Sequence, residues 1–67
     1  MEISWKYRSI KSEWFNNVKL ELFEWSGECY VRLYGNSDNF VDIYVGKDKD
    51  FAESVYQAQI GVMMISG

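Results

Sequence analysis

The sequence predicts a two-layer α+β domain in which a four-stranded antiparallel meander carries one C-terminal helix on one face, in the order ββββα. Three observations predict this fold. Residues 18–45 can be folded into two consecutive hairpins with matching side chains, residues 3–9 alternate apolar and polar, and residues 51–65 repeat apolar side chains at helical spacing. Because a chain of 67 residues can enclose only one core, we expect a single small domain over residues 1–67.

The central hairpin is predicted from a two-residue turn at Ser26 and Gly27, where glycine supplies the positive φ that strand twist favours. Counting outward from this turn gives one aliphatic face and one face of aromatic and charged residues. The predicted pairs are Leu22 with Val31 and Leu20 with Leu33 on the first face, and Phe23 with Tyr30 and Glu21 with Arg32 on the second. A slip by one residue would exchange the two faces, so the register is strongly specified.

The second hairpin closes through residues 35–39, which are rich in turn-forming side chains. The predicted pairs are Tyr34 with Phe40, Leu33 with Val41, Arg32 with Asp42, Val31 with Ile43 and Tyr30 with Tyr44. Arg32 then lies between two carboxylates, Glu21 and Asp42, which we expect to hold its guanidinium in a fixed orientation. The two hairpins agree on which face is aliphatic, and this agreement supports both.

A first strand is predicted over residues 3–9 and placed beside the second strand. Its apolar side would carry Ile3, Trp5 and Tyr7. The expected register sets Lys6 opposite Glu21 and Arg8 opposite Lys19. Residues 10–17 show neither period and are expected to form a connection. Its two large side chains, Trp14 and Phe15, are expected either to plug the end of the core or to form an exposed binding tip.

The helix is predicted to start near Asp50, which has capping-box spacing to Glu53, with Asp48 as an equally suitable cap. Apolar residues then recur at spacings of four and three, in a stripe suited to lie on the aliphatic sheet face. This stripe is Phe51, Val55, Ala58, Val62 and Ile65. The core predicted between sheet and helix is Leu20, Leu22, Val31, Leu33, Val41, Ile43, Phe51, Val55 and Val62.

Apolar residues on the helix exceed what one sheet contact needs. Those on the flank of the stripe are Tyr56, Ile60, Met63 and Met64. We expect this flank to be an oligomer interface, most simply that of a two-fold homodimer, or to be covered by the Trp14-Phe15 segment of the same chain.

Composition argues against catalysis and against a bound metal. The chain has no histidine and one cysteine, Cys29, so it lacks the usual general base, cannot form an internal disulfide and has few zinc ligands. We therefore expect no enzyme activity, no catalytic residues, no metal and no cofactor. The lone thiol, with no apolar segment of membrane-spanning length and no signal-like start, predicts a cytoplasmic protein that does not enter membranes.

The sheet face opposite the helix is the expected binding surface, since one helix cannot cover both faces. The predicted partner-binding residues are Phe23, Tyr30, Arg32, Tyr34 and Tyr44. Tyrosine, phenylalanine and arginine commonly anchor protein interfaces. The same residue types also pack flat on neighbouring strands without binding anything.

The function expected from these features is a non-catalytic protein-binding module. A short acidic chain with net charge −3 and 18% aromatic residues would suit a small inhibitor or adaptor, such as phage-encoded proteins that block host nucleic-acid or defence machinery. Two alternatives remain open: single-stranded nucleic-acid binding by a dimer through the aromatic face, and a structural role in a larger assembly. The net negative charge disfavours nucleic acid.

In its order of elements the chain is similar to several small families, including single-stranded-DNA-binding transcriptional coactivators that pair as dimers. The resemblance is in topology alone and implies the ββββα order, without assigning a role to any residue.

Overall fold

The chain forms one open sheet of four antiparallel strands followed by a single helix, which confirms the predicted ββββα order. A computed structural model describes residues 6–35 and 39–66. The elements are β1 (Tyr7–Phe15), β2 (Val18–Trp25), β3 (Glu28–Tyr34), β4 (Phe40–Gly46) and α1 (Lys49–Ser66). Each strand pairs with its neighbours in sequence, in the order β1-β2-β3-β4, and α1 packs over β2, β3 and β4.

The β2–β3 hairpin confirms the predicted turn and all four predicted pairs. Ser26 and Gly27 both have positive φ, 53° and 84°, as a type I′ turn requires. This turn twists in the same sense as the strands it joins, so the short connection fixes the register of the whole hairpin.

The β3–β4 hairpin follows the predicted register only as far as Asp42. Arg32 opposes Asp42, but Val31 opposes Tyr44, so Ile43 is an extra residue in β4. Such a β-bulge reverses the side on which later residues of the strand point. The predicted pairs Val31 with Ile43 and Tyr30 with Tyr44 are therefore wrong, and Tyr30 opposes Val45 instead.

Strand β1 lies later in the sequence than predicted. It runs through the segment expected to be a connection, and the turn into β2 consists of Asn16 and Asn17 alone. A second bulge falls at Ile10. The predicted pairs of Lys6 with Glu21 and Arg8 with Lys19 are wrong, because Ser12 opposes Glu21 and Arg8 opposes Glu24. The predicted positions of Ile3 and Trp5 lie outside the described residues.

The helix begins as one of the two predicted caps requires. The carboxylate of Asp48 accepts a hydrogen bond from the backbone N–H of Phe51 at 3.1 Å, so Asp48 is the N-cap and Asp50 lies in the first turn. The helix is joined to β1 by an ion pair of 2.9 Å between Lys11 and Glu53.

The helix is rotated by roughly a third of a turn relative to the predicted orientation. Ala52 and Tyr56 are fully buried against the sheet, with Ile60 and Met63 packed beside them. The buried core consists of Leu20, Leu22, Cys29, Val31, Ala52 and Tyr56, with Leu33 and Val55 at its margin. Four predicted core residues are wrong, since each is exposed: Val41, Ile43, Phe51 and Val62.

The same rotation changes the surroundings of the residues predicted to form an oligomer interface. Tyr56 is buried against its own sheet, Ile60 and Met63 pack against the core but stay partly exposed, and Met64 is exposed, so Tyr56 is the member that serves the fold of one chain, and a homodimer through the others stays a prediction. Tyr56 is among the largest fully buried side chains. It belongs to the same buried cluster as Leu20, Leu22 and Val31, where a smaller side chain would leave a void.

Candidate protein-binding surface

The sheet face opposite the helix carries an unbroken group of aromatic side chains around one arginine, which we call the aromatic face. The register of the four strands brings its members side by side. They are Tyr7, Phe23, Trp25, Tyr30, Arg32, Tyr34 and Phe40.

Phe23 is the centre of the first group of rings. It stacks on Tyr30 with ring centroids 4.9 Å apart and planes only 2° apart, and its ring lies 5.2 Å from that of Tyr7. Trp25 in turn lies 6.2 Å from Tyr30. Although α1 packs on the other face of the sheet, Phe23 is only 4% exposed. The neighbouring rings therefore form a small second core on the open side of the sheet.

Arg32 joins this group to a second one formed by Tyr34 and Phe40, whose centroids are 6.2 Å apart. The guanidinium carbon lies 4.1 Å from the centroid of Phe40 and 5.1 Å from that of Phe23. These distances are those of cation–π contacts. A single cation is thus in contact with rings from β2, β3 and β4.

Asp42 fixes the orientation of this cation. Arg32 Nε and Nη2 donate to the two carboxylate oxygens at 2.6 and 3.4 Å, a two-point contact that restricts the planar guanidinium. The hydrogen bond to Asp42 is the main cause that raises the pKa of Arg32 above its ordinary value. The predicted role of Asp42 as the group that holds Arg32 is consistent with this geometry.

Glu21 has a different role from the one predicted. Its side chain is buried, and it accepts hydrogen bonds from the hydroxyls of Tyr7 and of Tyr34, the latter at 3.1 Å. Lys19 Nζ approaches the same carboxylate at 3.9 Å. Glu21 therefore anchors two tyrosines of the aromatic face, while Arg32 is held by Asp42.

This arrangement raises the pKa values of two tyrosine hydroxyls. Removal of the Tyr7 hydroxyl from water, together with its hydrogen bond to Glu21, raises the pKa of Tyr7 to about 12. Burial likewise raises the pKa of Tyr34. Both groups are protonated at neutral pH, as donors to a carboxylate must be.

Four of the five predicted partner-binding residues meet on the aromatic face: Phe23, Tyr30, Arg32 and Tyr34. Tyr44 does not, because the bulge at Ile43 turns it to the helix side. There its ring packs edge-on against Phe51 at 5.1 Å and covers Gly46, where an added Cβ would overlap the phenol. The predicted placement of Tyr44 is wrong.

Sequence reasoning missed three members of the aromatic face, Tyr7, Trp25 and Phe40. Phe40 could have been found, since the predicted register already set it opposite Tyr34. Tyr7 required the correct start of β1. Trp25, the last residue of β2, follows Phe23 by two residues, so strand alternation places it on the same face. The aromatic side chains of β1 also separate: Phe15 packs against the core, whereas Trp14 is exposed.

The aromatic face contains a shallow depression of about 350 Å³. Its lining residues are Tyr7, Phe23, Trp25, Arg32 and Tyr34. A depression of this size falls at the lower end of the range that encloses small organic groups. It has room for one large side chain of a partner.

The described residues contain no group of three or more potential metal ligands. No helix within them is both long and apolar enough to cross a membrane. Comparisons of this chain with protein-family models, with curated proteins and with solved structures find no match. The aromatic face is therefore the feature of the molecule from which a function can be inferred.

Proposed function

We propose that this protein is a non-catalytic protein-binding module and that the aromatic face is its binding surface. The observation that carries the proposal is Arg32, an arginine held by Asp42 among rings from three strands on the side of the sheet that the helix leaves open. Aromatic residues and arginine are the types most enriched among residues that dominate binding energy.

The arrangement favours binding because it is already ordered. Arg32 is held by two hydrogen bonds, and Tyr34 by a buried carboxylate. Ordering a flexible side chain at an interface costs about 0.5 to 1.5 kcal/mol, and these side chains have little freedom left to lose. At the rim, Tyr7 and Phe40 are 57% and 50% exposed, so they present apolar area that a partner can cover.

Charge indicates what kind of partner fits. Asp42 neutralises Arg32, and Glu21 is enclosed by tyrosines, so the aromatic face has no strong net charge. We infer a protein that inserts an aromatic or aliphatic side chain into the depression. With net charge −3 and 67 residues, the chain is suited to a small inhibitor or adaptor of the phage type, acting in the cytoplasm on a host protein with a basic surface.

Single-stranded nucleic acid is a second candidate, favoured by one observation. The ammonium of Lys19 lies 6.0 Å from the ring centroid of Trp14 and 5.4 Å from that of Tyr34, a pairing of cation and rings that can hold a stacked base. Titration with an oligonucleotide panel at several salt concentrations separates the candidates, because phosphate contacts produce a steep salt dependence.

Two neighbouring residues of β4 provide a matched test. Phe40 and Val41 are both about half exposed or more, at 50% and 61%, but they point to opposite sides of the edge strand. We expect Phe40→Ser to abolish capture of a partner from the source cell, with Val41→Ser retaining it. Arg32→Lys should weaken capture as well, since an ammonium lacks the planar contact with rings.

Circular dichroism spectra and thermal melts of all three variants establish that each is folded. Mass spectrometry then identifies the captured protein, and binding is repeated with purified partner. If both Phe40→Ser and Val41→Ser lost binding equally, or if both retained it, the binding surface would not be the aromatic face.

A further inference from the structure

A groove lies between the edge strand β1 and the helix, on the side of the sheet opposite the aromatic face, and we call it the β1–α1 groove. It has two adjoining parts, of about 500 and 540 Å³, which share Lys11 and Gln57. The first part is lined by Lys11, Ser12, Glu13, Tyr56, Gln57 and Ile60. The second part, nearer the start of the helix, adds Asp50, Glu53 and Ser54.

The lining of the first part includes a buried tyrosine whose hydroxyl the fold does not use. Tyr56 is 1% exposed, and its oxygen has no hydrogen-bond partner among the described residues. An unsatisfied buried hydroxyl lowers stability, and phenylalanine would fill the same place in the core without this loss. The hydroxyl is instead suited to a molecule that binds in the groove.

The hydroxyl end of Tyr56 lies toward β1. Burial raises the pKa of Tyr56, and the carboxylates of Glu13 on β1 and Glu21 on β2 raise it further. Glu13 opposes Leu20, a buried residue of the core, so Glu13 lies on the helix side of its strand. The hydroxyl of Tyr56 and the carboxylate of Glu13 therefore border the same part of the groove.

The β1–α1 groove has an excess of negative charge. Among the described residues that line it, Lys11 is the one base, and it is paired with Glu53 at 2.9 Å. Glu13 and Asp50 form no ion pair within the described part of the chain. One uncompensated carboxylate thus remains in each part, and together they favour a ligand with positive charge.

The oxygens of Glu13 and Tyr56 also select the type of cation. A carboxylate accepts hydrogen bonds, and the oxygen of a tyrosine hydroxyl can accept one as well. A primary ammonium has several N–H donors and can bind both oxygens at once, whereas a quaternary ammonium has none. Ile60 adds apolar area to this part of the groove, which an alkyl chain can cover.

The positions of the two uncompensated carboxylates indicate more than one ammonium on the ligand. Asp50 precedes Tyr56 by six residues of α1, or about 9 Å along the helix axis. One ammonium cannot reach both ends of such a groove. A linear polyamine carries ammonium groups at both ends of an apolar chain and can do so.

We propose that the β1–α1 groove binds a linear alkyl polyamine, with one ammonium between the Glu13 carboxylate and the Tyr56 hydroxyl oxygen and another beside Asp50. The alkyl chain between them lies along α1. The proposal does not depend on the proposed function, because the aromatic face is on the other side of the sheet.

The first test is calorimetric titration with spermidine in about 50 mM salt, where charge interactions are only partly screened. We expect a dissociation constant between about 10 μM and 1 mM for the parent protein. Tyr56→Phe and Glu13→Gln should each weaken binding by about 10-fold or more, since each changes an acceptor for a charged donor. Glu28→Gln removes the same charge as Glu13→Gln outside the groove and should weaken binding by less than about 2-fold.

Circular dichroism and urea unfolding of the three variants establish that each is folded. Spermidine at about ten times its dissociation constant should also raise the urea midpoint of the parent more than that of Tyr56→Phe, because a ligand stabilises the folded state in proportion to its affinity. In NMR titrations the largest amide shifts should fall at Lys11, Glu13 and Gln57.

The second test compares ligands. Hexamethonium, the fully methylated form of hexamethylenediamine, has the same charge without N–H donors and should bind at least about 10-fold more weakly than the diamine. A lysine side chain of a protein is another source of a primary ammonium, and a lysine with blocked amino and carboxyl ends represents it. This derivative lacks a second ammonium and should bind at least about 10-fold more weakly than spermidine.

Several results would overturn the proposal. These are the absence of binding at about 10 mM spermidine, unchanged affinity in Tyr56→Phe or Glu13→Gln, and an equal loss in Glu28→Gln, which would show that spermidine responds to net charge alone. Equal affinity of hexamethonium and the diamine would exclude hydrogen bonding to the ammonium. A lysine derivative that binds as tightly as spermidine would assign the groove to a protein side chain instead.

Discussion

At the scale of single residues, the least expected feature is a carboxylate buried on the side of the sheet that lacks a helix. Glu21 is 2% exposed, and a charge in such a place is costly unless it is paired or hydrogen-bonded. Here two tyrosine hydroxyls and the nearby ammonium of Lys19 supply that compensation. The aromatic face therefore depends on a polar contact beneath it as much as on ring packing.

Burial of the Tyr7 hydroxyl, together with its hydrogen bond to Glu21, makes the free energy of unfolding fall at alkaline pH. Because the pKa of Tyr7 is about 12 in the folded chain and about 10 when unfolded, its contribution is complete below pH 10 and is lost as pH rises from 10 to 12. We expect the urea midpoint of the parent to fall more steeply over this interval than that of Tyr7→Phe. Parallel pH profiles of the two proteins would contradict this assignment.

Removal of the Tyr56 hydroxyl is expected not to destabilise the protein. Its oxygen is buried with no hydrogen-bond partner among the described residues, and leaving such a group unsatisfied costs about 1 to 3 kcal/mol. Tyr56→Phe should therefore be as stable as the parent or more stable in urea unfolding, whereas Tyr34→Phe, which loses its bond to Glu21, should be less stable. Destabilisation of Tyr56→Phe by more than about 1 kcal/mol would show that the hydroxyl has a partner, such as bound water.

At the scale of elements, the sequence alone predicts the strand pairing correctly wherever a turn fixes the register. The pairing of β2 with β3 follows from Ser26 and Gly27, and the contact of Arg32 with Asp42 follows from the next closure. The bulges at Ile10 and Ile43 could not be predicted. An inserted residue turns the side chains that follow it to the other face of the sheet, but it leaves no mark in the apolar pattern nearby. The wrong placement of Tyr44 follows directly from the second bulge.

The helix shows a different limit of sequence reasoning. It has two apolar stripes, and periodicity alone cannot decide which of them meets the sheet. The structure selects the stripe with Tyr56, whose bulk fills the core. The stripe of Phe51, Val55, Ala58, Val62 and Ile65 has the more regular spacing, and for that reason sequence reasoning places it against the sheet.

The N-terminus of the helix offers a test that separates its two candidate caps. Asp48→Ala should destabilise the protein by about 0.5 to 2 kcal/mol, since the N–H of Phe51 loses its acceptor. Asp50→Ala removes only a favourable charge near the helix dipole and should cost less, about 0.3 to 1 kcal/mol. Urea unfolding of both variants measures the difference, and a larger loss in Asp50→Ala would make Asp50 the cap.

At the scale of the whole molecule, all strand pairs join neighbours in sequence, and the chain contains no proline. Short loops are closed early and at low entropic cost, and no prolyl bond has to isomerise. We expect refolding without a phase of tens of seconds. In double-jump experiments the refolding kinetics should not depend on the time spent unfolded, and a slow phase that grows with that delay would contradict this expectation.

The buried thiol gives the molecule an internal reporter of its own opening. Cys29 lies in β3 at 4% exposure, and burial raises its pKa, so an alkylating reagent can react with it only after the hairpin separates from the helix. The labelling rate at low reagent concentration therefore gives the free energy of that opening under native conditions. Since Cys29 is the only cysteine in the sequence, no residue has to be introduced or removed. A bound partner that stabilises the hairpin would lower the labelling rate of Cys29, and this change can be measured directly.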